Sequence, residues 1–258
     1  MAKHLHIVIS VDIIFSGEKN FMNSAALITK LSDEKTYSRN ELKELFSDDS
    51  HTISDHTMNW LIYNLQKDEK IFRISRDSYS IKKPDQKRIY KPFYTEESSK
   101  MISDLENRFP EMNFTVFESI LLNDFLNHLI AQNTIYLFID KDISSFAFDE
   151  IRSESDKPVL YNPSYDEFQR YWKRNCIVVL DLISRSPLNK DNRHDVVIEK
   201  MLVDIVAEKC IGAVFSRSEL PDIYDIALRN FLVDKKKLIS YAKRRSKADV
   251  IRQYMEVE

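Results

Sequence analysis

Glycine is almost missing from this chain, with Gly17 and Gly212 the only two in 258 residues. Loops that cradle phosphates need several closely spaced glycines so that backbone N–H groups can approach the ligand. A P-loop, a dinucleotide fingerprint and a kinase glycine loop are therefore excluded in their standard forms. Long apolar runs are missing too, since none approaches the ~20 residues of a membrane-spanning helix. Cysteine is scarce: Cys176 and Cys210 both lie in apolar surroundings. They read as small buried side chains in a reducing compartment, with a single disulfide as the alternative, and the cytoplasm is the expected location. Clustered histidine is also lacking. His51, His56, His128 and His194 sit singly, and His4 with His6 offers a metal only two ligands.

What is present describes a globular protein of two domains: 43% hydrophobic residues, 31% charged, and a net charge of -3. Residues 1–21 read as an arm or edge strand. Asp12 interrupts their apolar part and no small-residue cleavage site follows, unlike a signal peptide. A translation start at Met22 would place the beginning immediately before the first helix.

Residues 22–83 carry the clearest pattern. Ala25, Leu27, Ile28 and Leu31 predict a short first helix, and Ser38 with Glu41 is a capping box that opens a helix over 39–46. Ser54 is an N-cap for a third helix over 54–66, where Met58, Leu61, Ile62 and Leu65 fall at i, i+3, i+4 and i+7. The alternation that follows, with a break at Arg76-Asp77, predicts a hairpin. Three helices and a hairpin in this order match a winged helix-turn-helix, whose last helix enters a major groove while the wing touches adjacent backbone.

On that plan His56, Asn59, Tyr63 and Asn64 read base edges or phosphate, and Trp60 finishes the rim of the core, with stacking on DNA as the alternative. Phosphate contacts need lysine or arginine, and the charge is unevenly placed. Residues 20–66 hold four basic against seven acidic residues, a net of -3, whereas 67–91 hold nine against four, a net of +5. Affinity would come from Lys67, Lys70, Arg73, Arg76, Lys82 and Lys83. Replacing Arg73 and Arg76 with alanine would then weaken binding to all sequences and flatten its salt dependence.

Residues 84–94 read as a linker, since the stretch from Lys82 to 92 holds two prolines, four lysines and one arginine. Beyond it, helices are expected over 95–108, 118–131, 145–155 and 164–174, and strands over 113–117, 134–140, 158–161 and 176–183. This is an α+β or α/β domain around a central sheet. Helices over 195–209, 219–231, 235–245 and 248–255 complete the chain. Val197, Met201, Ile205 and Val206 form the apolar face of the first of these. Residues 92–228 carry 14 basic and 24 acidic residues, a net of -10; 229–258 carry nine and four, a net of +5. Lys235, Lys236, Lys237, Lys243, Arg244, Arg245 and Lys247 are thus a possible second basic surface, for DNA or for an acidic partner.

The best acidic cluster is Asp140 and Asp142 with Glu118, which could hold Mg²⁺ for nuclease or nucleotidyl-transfer chemistry delivered to nucleic acid by the winged helix. Asp181, inside an apolar strand, needs a partner such as Arg185 or a helix residue if it is buried. The leading expectation is a DNA-binding protein with no catalytic site, metal or cofactor.

A winged helix followed by an α/β domain with Arg88-x-Tyr90 near its start, the phrase LISRSPL (182–188) and the helix EKMLVDIVAEK (199–209) resembles the AbiEi-type antitoxins of type IV toxin-antitoxin systems. The resemblance implies an N-terminal domain that binds inverted repeats upstream of its own operon and represses transcription. It also implies a C-terminal domain that counteracts a nucleotidyltransferase-like toxin, without a stable complex between the two proteins being required.

Overall fold

The computed structural model describes residues 27–32, 35–47, 52–75, 78–82, 87–126 and 129–256. The expected arm, the Met22 start, Arg76, Lys83, His51 and His128 lie outside these residues. The protein is an α+β protein of two compact units, Met1–Asp85 and Gln86–Glu258. No described helix is long and apolar enough to cross a membrane.

The first unit contains α1 (Arg39–Phe46), α2 (Asp55–Lys67) and a hairpin of β1 (Phe72–Ser75) and β2 (Ser78–Ser80). The Ser38 hydroxyl accepts from the Glu41 N–H at 3.2 Å while the Glu41 carboxylate accepts from the Ser38 N–H at 2.8 Å, so two orphan donors of α1 are satisfied together. These bonds, with Lys35 at 2.9 Å, hold the Glu41 carboxyl down at about 2. At the start of α2 the Ser54 hydroxyl accepts from the Thr57 N–H. Leu42, Phe46, Met58, Leu61, Ile62 and Leu65 meet Leu27, Leu31, Ile71 and Tyr79 in one core. Tyr37 exchanges backbone hydrogen bonds of 2.7 and 2.8 Å with Tyr79, which ties the segment before α1 to the hairpin. Of the expected first helix, residues 27–28 are helical and a turn follows.

The second unit is built on four strands, β3 (Phe114–Glu118), β4 (Ile135–Asp140), β5 (Val159–Tyr161) and β6 (Ile177–Leu182), in the order β3-β4-β6-β5. β3 is antiparallel to β4, and β4, β6 and β5 are parallel. Alternate residues of the central strands enter two cores, which is why both strands read as continuous apolar runs. Ile135, Leu137, Ile139, Ile177 and Val179 pack with Leu105 of α3 (Glu96–Arg108) and with Ala147 and Ile151 of α4 (Lys141–Glu154). Tyr136, Phe138, Val178 and Leu180 meet Phe168 of α5 (Tyr165–Tyr171) and the helices α6 (Ile198–Ala207), α7 (Leu220–Asn230), α8 (Lys235–Arg244) and α9 (Ala248–Met255).

Two expectations fail here. The described residues of 118–131 contain no α-helix: Ser119–Asp124 form a 3₁₀ stretch. The Ser119 hydroxyl accepts from the Thr134 N–H at 2.9 Å, and the Asn123 amide exchanges bonds with the Ile130 backbone, so short polar side chains take donors and acceptors of the returning chain in place of helical ones. Nor do residues 87–94 hang free as a linker. Arg88 lies beside Phe231 in a parallel bridge, its N–H donating to the Asn230 carbonyl and its carbonyl accepting from the Leu232 N–H; Tyr90 is buried against Phe125 and Phe231, and the Tyr94 hydroxyl donates to the Val116 carbonyl at 2.8 Å. The cysteines are both free and buried, which removes the disulfide alternative.

Candidate nucleic-acid interface

With Met58, Leu61, Ile62 and Leu65 turned into the core, α2 leaves a second face at i, i+4, i+7, i+8 and i+11: His56, Trp60, Tyr63, Asn64 and Lys67. His56, Trp60 and Lys67 are exposed, and Tyr63 and Asn64 are half-buried. Trp60 does not close the rim of the core as expected but stands 39% exposed. Arginine and lysine of α1 steady the N-terminal turns of this helix. Arg39 donates to the Asn59 side-chain oxygen at 3.1 and 3.2 Å and to Asp55, and Lys43 reaches Asp55 at 2.8 Å. These two cations hold the Asp55 carboxyl below its usual range. The negative charge counted in this half of the unit is therefore partly matched at the helix start, and the Asn59 oxygen is already in use. The Asn64 amide donates to the Trp60 carbonyl at 2.8 Å, within its own helix.

The hairpin follows α2 directly, with the Lys70 and Ile71 N–H groups donating to the Leu65 carbonyl. Lys70 and Lys82 are exposed as a phosphate contact requires. Arg73 is not. It is 7% exposed with its guanidinium 5.9 Å from the Tyr79 ring centre, on the same parity as buried Ile71. The alternation in the sequence was clear, but both parities carry isoleucine, so it did not say which side faces the core. Arg73→Ala is accordingly expected to lower the melting temperature of the first unit while leaving the salt slope of DNA binding unchanged; a flatter slope at full stability would show that the side chain reaches phosphate instead.

In the second unit the expected basic residues separate. Lys235, Lys236, Lys237, Lys243 and Arg244 are exposed on α8, and Lys247 is half-buried just beyond it. Arg245 faces inward in an ion pair with Glu208 and belongs to the packing of α8. The expected acidic cluster is not assembled. In the β3–β4 register Glu118 lies opposite Ile135, five residues from Asp140, so the two carboxylates stand at opposite ends of the strand, about 16 Å apart. Glu118 is buried and accepts from the Thr95 N–H and hydroxyl and from Asn133, while Asp140 accepts from Asn113. No group of three or more potential metal ligands occurs among the described residues. Asp181 finds hydroxyl partners and not Arg185: Ser144 of α4 donates at 2.7 Å and Tyr161 at 3.3 Å. His194 is a buried strut, stacked on Phe114 with a ring nitrogen 3.1 Å from the Phe114 carbonyl.

A family profile described as a family of unknown function, DUF6577, matches residues 57–258, from the first turn of α2 to the end. The chain belongs to this family. No curated protein matches it. The DUF6577 match takes in most of α2, the hairpin and the whole second unit, so the exposed helix face from Trp60 to Lys67 and the basic helix α8 both fall within the family region, and His56 lies just before it. In this DUF6577 protein sequence reasoning missed the Arg39 clamp, whose only signal was the acidic and amide pair Asp55 and Asn59 at i, i+4. It also missed the buried Lys200 and Asp204, again spaced i, i+4 on α6.

Proposed function

We propose that the chain is a DNA-binding transcriptional repressor whose first unit works as a winged helix-turn-helix, with α2 reading the major groove and the hairpin resting on adjacent backbone. The observation that carries the reading is the free face of α2. A helix whose opposite side is fully committed to a core presents histidine, tryptophan and lysine to solvent, with a half-buried tyrosine and asparagine between them, and a hairpin with exposed Lys70 and Lys82 follows it. Aromatic and amide side chains of this kind suit base edges and thymine methyl groups, and lysines suit phosphate. The C-terminal unit is proposed, on the resemblance to AbiEi-type proteins, to supply the antitoxin activity of a type IV system against a nucleotidyltransferase-like toxin encoded beside it, in the cytoplasm. The Mg²⁺ enzyme alternative would need Glu118 beside Asp140 and Asp142, and Glu118 stands about 16 Å from Asp140. A footprint with the full chain on the DNA upstream of its own gene should show a protected inverted repeat at low salt. Uniform weak binding without protection would overturn the repressor reading. Unchanged toxicity of the neighbouring gene product when the chain is co-expressed would overturn the antitoxin reading alone.

A further inference from the structure

We propose that the second unit has its own duplex-DNA-binding surface, the outer face of α8, which grips phosphates without reading sequence. The proposal rests on the reading of DNA as the partner but on a different unit and different residues. α8 buries Leu238, Tyr241 and Ala242, so its opposite stripe is Lys236, Ser240 and Lys243, continued by Lys247 and flanked by Lys237 and Arg244. Arg244 donates to the Ser184 hydroxyl at 3.0 Å, which places it beside the loop after β6, where the exposed Arg185 adopts a left-handed conformation at φ 63°. None of Lys235, Lys236, Lys237 and Lys243 is paired with a carboxylate among the described residues.

A second observation separates this stripe from an ordinary solvated helix. Lys235, Lys236 and Lys237 occupy the first turn of α8, which contains no acidic residue. The N-terminus of a helix carries the positive end of its dipole, so three cations there oppose the local field, against the Asp234 cap at 3.0 Å from the Lys237 N–H and the Glu199 carboxylate at 2.8 Å from the Asp234 N–H. A helix serving packing alone would carry aspartate or glutamate at these positions. Local rules broken on an exposed surface point to a function that uses the charge.

The composition of the stripe selects the ligand. Ten residues of helix span about 15 Å, and a duplex carries one phosphate charge per ~1.7 Å of axis, so the stripe faces roughly nine of them. The stripe has lysine, serine and arginine but no aromatic ring, and so has nothing on which unpaired bases could stack. Lysine and serine contacts to phosphate hold a duplex in place and leave sequence choice elsewhere. Because both units belong to one chain, contact by one raises the effective concentration of DNA at the other.

The test compares the full chain, the variant Lys236→Ala/Lys243→Ala/Lys247→Ala, and the variant Trp60→Ala/Lys67→Ala, each titrated over a salt series with the upstream DNA and with a random duplex. The α8 variant should reduce the slope of log affinity against log salt by about 2 to 3 and weaken both duplexes about 10-fold or more. Its preference for the upstream DNA should survive. The Trp60 variant should lose the preference and, through Lys67, about 1 from the slope. An unchanged slope in the α8 variant, with binding still lost in the Trp60 variant, would overturn the α8 surface and leave the repressor reading standing. A wild-type chain with no preference, but with a slope that falls in the α8 variant, would do the opposite. A second variant guards against a structural explanation: Lys235→Glu/Lys236→Glu should keep or raise the melting temperature, since it favours the dipole, while weakening DNA binding. A lowered melting temperature there would overturn the proposal by making the lysines part of the fold.

Discussion

Replacing Lys200 with alanine is expected to cost the second unit about 3–5 kcal/mol, because it would leave the Asp204 carboxylate buried without its cation. Lys200 is fully buried, its ammonium 2.6 Å from the Asp204 carboxylate and 3.4 Å from the centre of the Phe138 ring. Burial pulls the ammonium below its usual range, and the neighbouring carboxylate pulls it back up. The other Asp204 oxygen accepts from the Tyr241 hydroxyl at 2.9 Å, so the cluster joins α6 to the inner side of α8. The contacts are strong in this surrounding, yet both ions had to leave water to make them. Removing the whole set therefore differs from removing one member: Lys200→Met/Asp204→Leu/Tyr241→Phe should recover most of the loss. Urea denaturation of the three proteins decides it. If Lys200→Ala kept the wild-type midpoint, Asp204 would have to be reached by water. The result also bears on function, since α8 carries the basic stripe on its outer side and needs this anchor to hold that stripe in place.

How far the chain could be read in advance depended on how local the deciding physics was. Ser38 with Glu41, and Ser54 before Met58, Leu61, Ile62 and Leu65, fix their helices through hydrogen bonds and periodicity spanning a few residues, and the structure follows them. The strands 135–140 and 177–182 were legible because two-sided burial leaves long apolar runs. Residues 118–131 failed because Ser119 and Asn123 bond to a segment that returns from the far side of a turn, which no local window contains. Tyr90 and Arg88 look like connection by composition, yet they dock on Phe231, over a hundred residues away.

The candidate interface shows the same division. The helix that carries it could be read from spacing, but the choice between core and surface for Arg73 and Trp60 could not. Charge points Arg73 outward, although its parity with Ile71 places it inside, and bulk points Trp60 inward, although the four apolar residues at 58, 61, 62 and 65 already fill that side of α2. Lys200 and Asp204 were passed over because a lysine in an amphipathic helix is usually solvated. Only the packing of Phe138 and Tyr241 around it makes this one an exception.

Trp60→Ala is expected to weaken binding to the upstream DNA about 10- to 100-fold while leaving the fold intact. Trp60 keeps 39% of its surface exposed and lies outside the core residues of the first unit, so its truncation should cost less stability than the loss of a core side chain. In a groove its ring would meet thymine methyl groups or sugar edges, and a good base contact is worth about 1–3 kcal/mol, which is the range of that fold-change. Its neighbours provide the contrast. Leu61→Ala should unfold much of the unit's stability, about 2–5 kcal/mol for a fully packed leucine, and binding would fall only as folding does. Asn59→Ala should act between the two, because it removes the two Arg39 bonds to Asn59, leaves the guanidinium held by Asp55 and loosens the helix start. Melting curves and DNA titrations on the three variants separate surface from scaffold. If Trp60→Ala lowered the melting temperature as far as Leu61→Ala and bound DNA normally once folded, the ring would be core and the reading face of α2 would lose its centre.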